Sequence, residues 1–301
     1  MKTGLRSVLW SAAALLLLLS IAVPVLNVLL ASVMMVPITV LYATLSKRAF
    51  ALHMLVVYGI GIAVLGAPAV IIGLFFLVPG IVMGHMYLKR QPARKVLTAA
   101  VLTLLAELLL ELLLFDFVLN MSLLDEMQNM LRQSIDNLHK QGLMPAEWTT
   151  DLTNAYIQTI IHSLPMVFIT IAFALAVITH AFARPALRKA GVEVPGLQPA
   201  KDWMLPRVFF FYYIVVILLD FIVPNRSGSF LTVALLNLVP LMRLVFCIQA
   251  IGFFFFIANQ RRWPKIVPVL ISVLIICFQQ PLYLIGVLDA GFPIRKAFKK
   301  P

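Results

Sequence analysis

The chain has 301 residues, of which 62% are hydrophobic and only 12% charged, and its mean hydropathy is +1.01. Soluble domains carry about 25% charged residues, so a single aqueous core cannot cover this apolar surface and lipid must be the solvent for much of it. The net charge of +12 does not point to nucleic acid, because Lys and Arg cluster in short segments between apolar runs and no recognition motif accompanies them.

Lys2 and Arg6 precede an apolar run, as in a secretory signal, but the run continues uncharged from Val8 to Ser46. That exceeds the ~7–15 residues of a signal core. As one straight helix it would measure about 58 Å, against a hydrocarbon core of ~30 Å. A break is expected at Pro24 and Asn27, giving helices over 8–24 and 27–45. Ala49–Leu88 is again uncharged apart from His53 and His85. Gly66-Ala67-Pro68 divides it into a second hairpin, closed by Lys89, Arg90, Arg94 and Lys95.

A fifth helix over 96–121 carries Glu107 and Glu111. Ser122–Asp151 is the one long polar stretch, and its Leu124, Met127, Leu131, Ile135 and Leu138 recur at the three-and-four spacing of one helix face. Ser122 with Asp125 reads as a capping box, so an amphipathic helix lying on or capping the bundle is expected here. Further membrane helices are predicted over 155–182, 205–223, 230–258 and 266–288. The fold class is thus an all-α polytopic transmembrane bundle, read as a single integral membrane domain over 1–301.

In this topology sixteen lysines and arginines fall in segments placed inside and three in segments placed outside. The positive-inside rule then puts the N-terminus and the 183–204 and 259–265 loops in the cytoplasm, and 122–151 outside. Nine spans would leave Arg295, Lys296, Lys299 and Lys300 outside, against the rule. Either the last segment breaks at Gln279-Gln280-Pro281 and returns, or an earlier hairpin is a single tilted span or re-entrant piece. The expectation is accordingly eight to ten helices.

Charge inside the bilayer is the sharpest chemical feature. A charged side chain at the bilayer centre costs at least ~2.5–3.5 kcal/mol on insertion scales and normally has a partner inside the bundle. Glu107 and Glu111 are four residues apart and share one helix face. Arg243, at a matching depth of about 20 Å from the outer surface, is the candidate cation. Three readings stand side by side: a buried ion pair that fixes packing, a substrate or ion site, and snorkelling at helix ends. Asn27, Asn237, Gln279 and Gln280 are further intramembrane polar groups, expected as interhelical hydrogen-bond partners. Asp116 and Asp220, near outer helix ends, read as solvated.

Gly80 and Gly84 form a GxxxG spacing after Pro79, and Gly59, Gly61 and Ala63 form a second small-residue face. Both are expected to serve close helix packing. Cys247 and Cys277 lie inside apolar runs and read as packing residues. The histidines show no ligand spacing, so no metal site and no cofactor are expected. No CxxC, HExxH, phosphate-binding loop or GxSxG elbow is present, and no nucleophile–base pair points to an enzyme.

The segment from Leu77 to Arg90, with Pro79-Gly80, Gly84 and a basic exit at Lys89-Arg90, resembles a helix end of the YybS-like family of bacterial integral membrane proteins. The two opening hairpins, the glutamate-bearing helix and the polar insertion extend the resemblance over most of the chain. That family is in turn distantly similar to the substrate-binding membrane subunits of energy-coupling-factor vitamin transporters, which bind a small molecule and dock on a membrane partner through small residues of their first helix. Ser11, Ala12, Ala13 and Ala14 supply small residues here but no AxxxA spacing, and the helices after residue 155 exceed the six-helix pattern. The resemblance implies a multi-pass protein of a bacterial cell membrane, transporter-like, with lipid and an unidentified small molecule or ion as partners, and a membrane partner protein as a further expectation. The alternative is a membrane scaffold whose internal charges are structural.

Overall fold

A computed structural model of the chain describes residues 3–23, 26–120, 122–145, 147–223 and 229–298. Among the described residues every regular element is helical. Helix α1 (Thr3–Leu19) ends in a 3-10 turn at Ser20–Ala22, and two short helices follow, α2 (Leu26–Ala31) and α3 (Met35–Thr44). The long first apolar run is therefore divided, as bilayer thickness requires, although Pro24 itself lies outside the described residues. Ser46 caps α4 (Lys47–Leu65), its hydroxyl accepting from the Ala49 amide. The next break falls where the sequence places it: Gly66, at φ +69°, ends α4 and begins α5 (Ala67–Leu88), with Pro68 in the first turn.

Helix α6 (Ala93–Leu119) carries both glutamates. Ser122 caps α7 (Leu123–Lys140) through the Asp125 amide at 3.2 Å, and Ile135 on its apolar face is buried. The predicted 155–182 helix is longer in the structure. Helix α8 runs from Thr150 to Lys189, absorbing polar residues at both ends. It is followed by a 3-10 turn (Ala200–Asp202), α9 (Val208–Ile222) and α10 (Phe230–Arg261). The expected last helix is two, α11 (Ile266–Cys277) and α12 (Gln279–Gly291), bent by 117°, with a short α13 (Arg295–Phe298) after them.

Six described helices are long and apolar enough to cross a membrane, seven if the bent pair counts as one span. Leu29–Thr44 and Val208–Ile222 are apolar but shorter, and counting such pieces as spans produces the higher expectation from sequence.

The contacts gather in two compact units, residues 1–146 with 168–197, and residues 147–167 with 198–301. In the first, α1 runs parallel to α4, with the Ser11 hydroxyl 2.7 Å from His53 Nδ1 and Leu18 seated on Gly61. Helices α3 and α5 also run parallel. A Cβ at Gly80 would meet Ile38 at 2.8 Å, one at Gly84 would meet the Thr39 carbonyl at 3.1 Å, and the Thr39 hydroxyl donates to the Gly80 carbonyl. Gly59, by contrast, faces open space, and Gly61 is the small residue of that pair that meets a neighbour. The core of this unit is one cluster around Met35, Leu41, Met83, Tyr87 and Leu104.

In the second unit α12 lies along α10. Gly286 sits against the Phe246 carbonyl, while Tyr213 of α9 stacks edgewise on Phe246 at 5.1 Å.

Candidate functional site

Glu107 and Glu111 are half-buried on one face of α6. With Val70, Ile71, Leu74, Leu110, Leu114 and Phe115 they line a groove of about 280 Å³ between α5 and α6. Among the described residues of the first unit neither carboxylate has an ion-pair or hydrogen-bond partner. The groove walls are otherwise apolar, so no described residue of that unit answers the charge of the pair.

Arg243, the expected cation, belongs to the second unit, and its described contacts are made there. Its guanidinium lies 5.5 Å from the centre of the Tyr283 ring, and the Tyr213 hydroxyl interacts with both Tyr283 and Arg243. Its Nε is buried and makes no hydrogen bond. A guanidinium over an aromatic face is held by the ring quadrupole, so Arg243 has aromatic company in place of a carboxylate.

The tightest polar cluster is one that the sequence reading did not single out. Asp289, at 0% exposure near the end of α12, receives the Arg295 Nε at 2.9 Å and Nη2 at 2.7 Å, together with the Gln249 amide from α10. Arg295 also donates to the carbonyls of Lys201 at 3.0 Å and Trp203 at 2.7 Å, and lies over the Phe256 ring. The Gln249 carbonyl oxygen accepts from the Leu205 amide, and Gly252 leaves room on α10 for Trp203 and Ala200. Every polar arm of this cluster therefore has a partner, as a buried ion pair requires. Asp289 stands at the end of an apolar run and Gln249 in the middle of another; those two interruptions were the available signal.

The same bonds hold the tail: Arg295 is bound to the carbonyls of residues 201 and 203. Helix α11 enters beside α10, and α12 returns alongside it, Tyr283 near Arg243 and Asp289 near Gln249. At 12 residues α11 spans about 18 Å, too short to cross. The pair is bent by 117° at the Gln279-Gln280-Pro281 break that the sequence predicts.

Asn237 acts as an interhelical partner. Its side-chain oxygen accepts from the Met166 amide and its nitrogen donates to the His162 carbonyl, at 2.8 and 2.7 Å. The Asn237 amide thus ties α10 to the α8 backbone beside Pro165. In the first unit, Tyr87 and His180 form a buried 2.7 Å hydrogen bond. Among the described residues no group of three or more His, Cys, Asp or Glu is placed to hold a metal ion.

Hydrocarbon-length helices, exposed apolar flanks, a paired buried charge and a sharply bent apolar helix pair together define a multi-pass α-helical membrane protein. The chain belongs to the family described as predicted membrane protein DUF2232, which it matches over residues 11–290. It is similar to the uncharacterized protein YybS of Bacillus subtilis (strain 168), with 23% identity over 228 residues, 73% of each chain. No solved structure matches it.

Proposed function

We propose that the chain is a transporter-like membrane protein that binds a small molecule or an ion at Glu107 and Glu111. The observation that carries this reading is the groove of about 280 Å³ in which two adjacent carboxylates meet only apolar neighbours in their unit. Holding carboxylate charge at membrane depth without a counter-charge is unfavourable, so a proton, an inorganic cation or the cationic part of a ligand completes the site. Binding rather than catalysis is proposed, since no nucleophile–base pair accompanies the carboxylates.

A thermal-shift screen of the purified protein against metabolites, amines and inorganic cations tests it. At least one stabilising compound is expected, with its shift lost in Glu107→Gln and in Glu111→Gln. No shift across a broad panel would favour the second reading, a membrane scaffold. The Asp289–Arg295 cluster supports that reading, because its charges are already answered by protein groups.

We place the N-terminus and the 183–204 loop in the cytoplasm, on the distribution of basic residues. In a variant lacking Cys247 and Cys277, a cysteine introduced at residue 140 should react with an impermeant reagent in intact cells, and one at residue 190 should not. The reverse pattern would invert the topology.

A further inference from the structure

A larger groove of the first unit lies not at the glutamates but at the basic end of the bundle. Its volume is about 610 Å³, and it is bounded by the start of α1, the end of α3 and the end of α8. Arg6 and Lys189 line it, with Trp10, and its walls include Leu45, Phe182 and Ala186. No acidic residue lines it. A neighbouring groove of about 510 Å³ differs in this respect: Arg90, Arg184 and Arg188 line it, but so does Glu193, which pairs with Arg90 at 3.1 Å.

Arg6 and Lys189 are exposed and have no ion-pair or hydrogen-bond partner among the described residues. The hydroxyls of Ser7 and Thr44, also in the lining, already donate to the carbonyls of Gly4 and Val40. The donors left for a ligand are two cations and the indole N–H of Trp10. Phe182, 59% exposed, extends the apolar wall outward. Cations beside an interfacial tryptophan, over walls suited to hydrocarbon, describe one amphipathic ligand with an anionic head. A free anion has no use for such walls, and an acyl chain alone has none for the cations.

We propose that this groove binds an anionic phospholipid of the adjacent leaflet, with its phosphate between Arg6 and Lys189. The inference is independent of the Glu107–Glu111 reading. Each cation near an anionic headgroup is worth about fivefold in binding, so removing both should weaken it about 25-fold.

Native mass spectrometry of the full-length protein in detergent, titrated with phosphatidylglycerol, measures this. Arg6→Gln with Lys189→Gln should lose most of the bound lipid. Arg48→Gln with Lys95→Gln, exposed cations outside the groove, should retain it. The charge-preserving Arg6→Lys with Lys189→Arg should also retain it, which separates lost charge from a damaged fold. Phosphatidylcholine should bind much more weakly, and millimolar inorganic phosphate should not displace phosphatidylglycerol. Three outcomes would overturn the proposal: equal retention by the Arg6/Lys189 charge-removal variant, equal loss in the Arg48/Lys95 control, or displacement by inorganic phosphate, which would mark a free-anion site.

Discussion

Arg295→Leu is expected to destabilise the protein by about 3–5 kcal/mol, because it leaves the Asp289 carboxylate buried without its cation. Asp289 is fully enclosed and takes most of its hydrogen bonds from Arg295. The Gln249 amide alone cannot answer its charge. Asp289→Leu strands the guanidinium instead and should be of similar size. The double variant should be less damaging than the two single losses added together, since two leucines can replace a buried pair without leaving a charge. Arg295 also holds the Lys201 and Trp203 carbonyls, so the single variant should free the 198–205 segment and shift Trp203 fluorescence to longer wavelength. Unfolding in detergent, compared as a double-mutant cycle, checks the energies. Strict additivity would show that the pair is not coupled.

Gly286→Ala should be the most damaging single methyl group in the chain. The added Cβ would meet the Phe246 carbonyl oxygen directly and the Ala250 amide nitrogen at 3.0 Å, both of them helix backbone that cannot rotate away. Overpacking usually costs about 1–3 kcal/mol. This site is expected at or above that range, because relief requires α12 to leave α10 and loosens Asp289 one turn on. Gly59→Ala is the matched control. It adds the same methyl in a helix facing open space, so it should be neutral or stabilising by up to about 1 kcal/mol through helix propensity. Equal losses at the two sites, measured by thermal unfolding, would count against the close α10–α12 approach.

The features that could be read from the sequence depend on neighbours along the chain. The break at Gly66 follows from a positive φ and a proline in the next helix's first turn, and the start of α7 follows from Ser122 capping the Asp125 amide. The shared face of Glu107 and Glu111 follows from their spacing. Gly59 and Gly61 mark the limit. Both are small and lie on one helix, but only Gly61 meets Leu18, because two residues turn the helix about 200°. Asp289 reads as an ordinary helix-end carboxylate until Gln249, forty residues earlier, and Arg295 are seen around it.

The sequence by itself determined the solvent and the element type. An apolar run longer than the bilayer must break, and backbone groups in hydrocarbon must bond within helices. It also determined where charge enters the membrane, since that is a matter of position in an apolar run. Only the tertiary structure decided which of those charges are answered by the protein and where the tail docks. Both depend on distant segments meeting: Arg295 on the carbonyls of Lys201 and Trp203, and α12 folded back along α10. Such meetings are set by the shape of packed side chains and by backbone groups that look alike along the whole chain, so local periodicity carries no record of them.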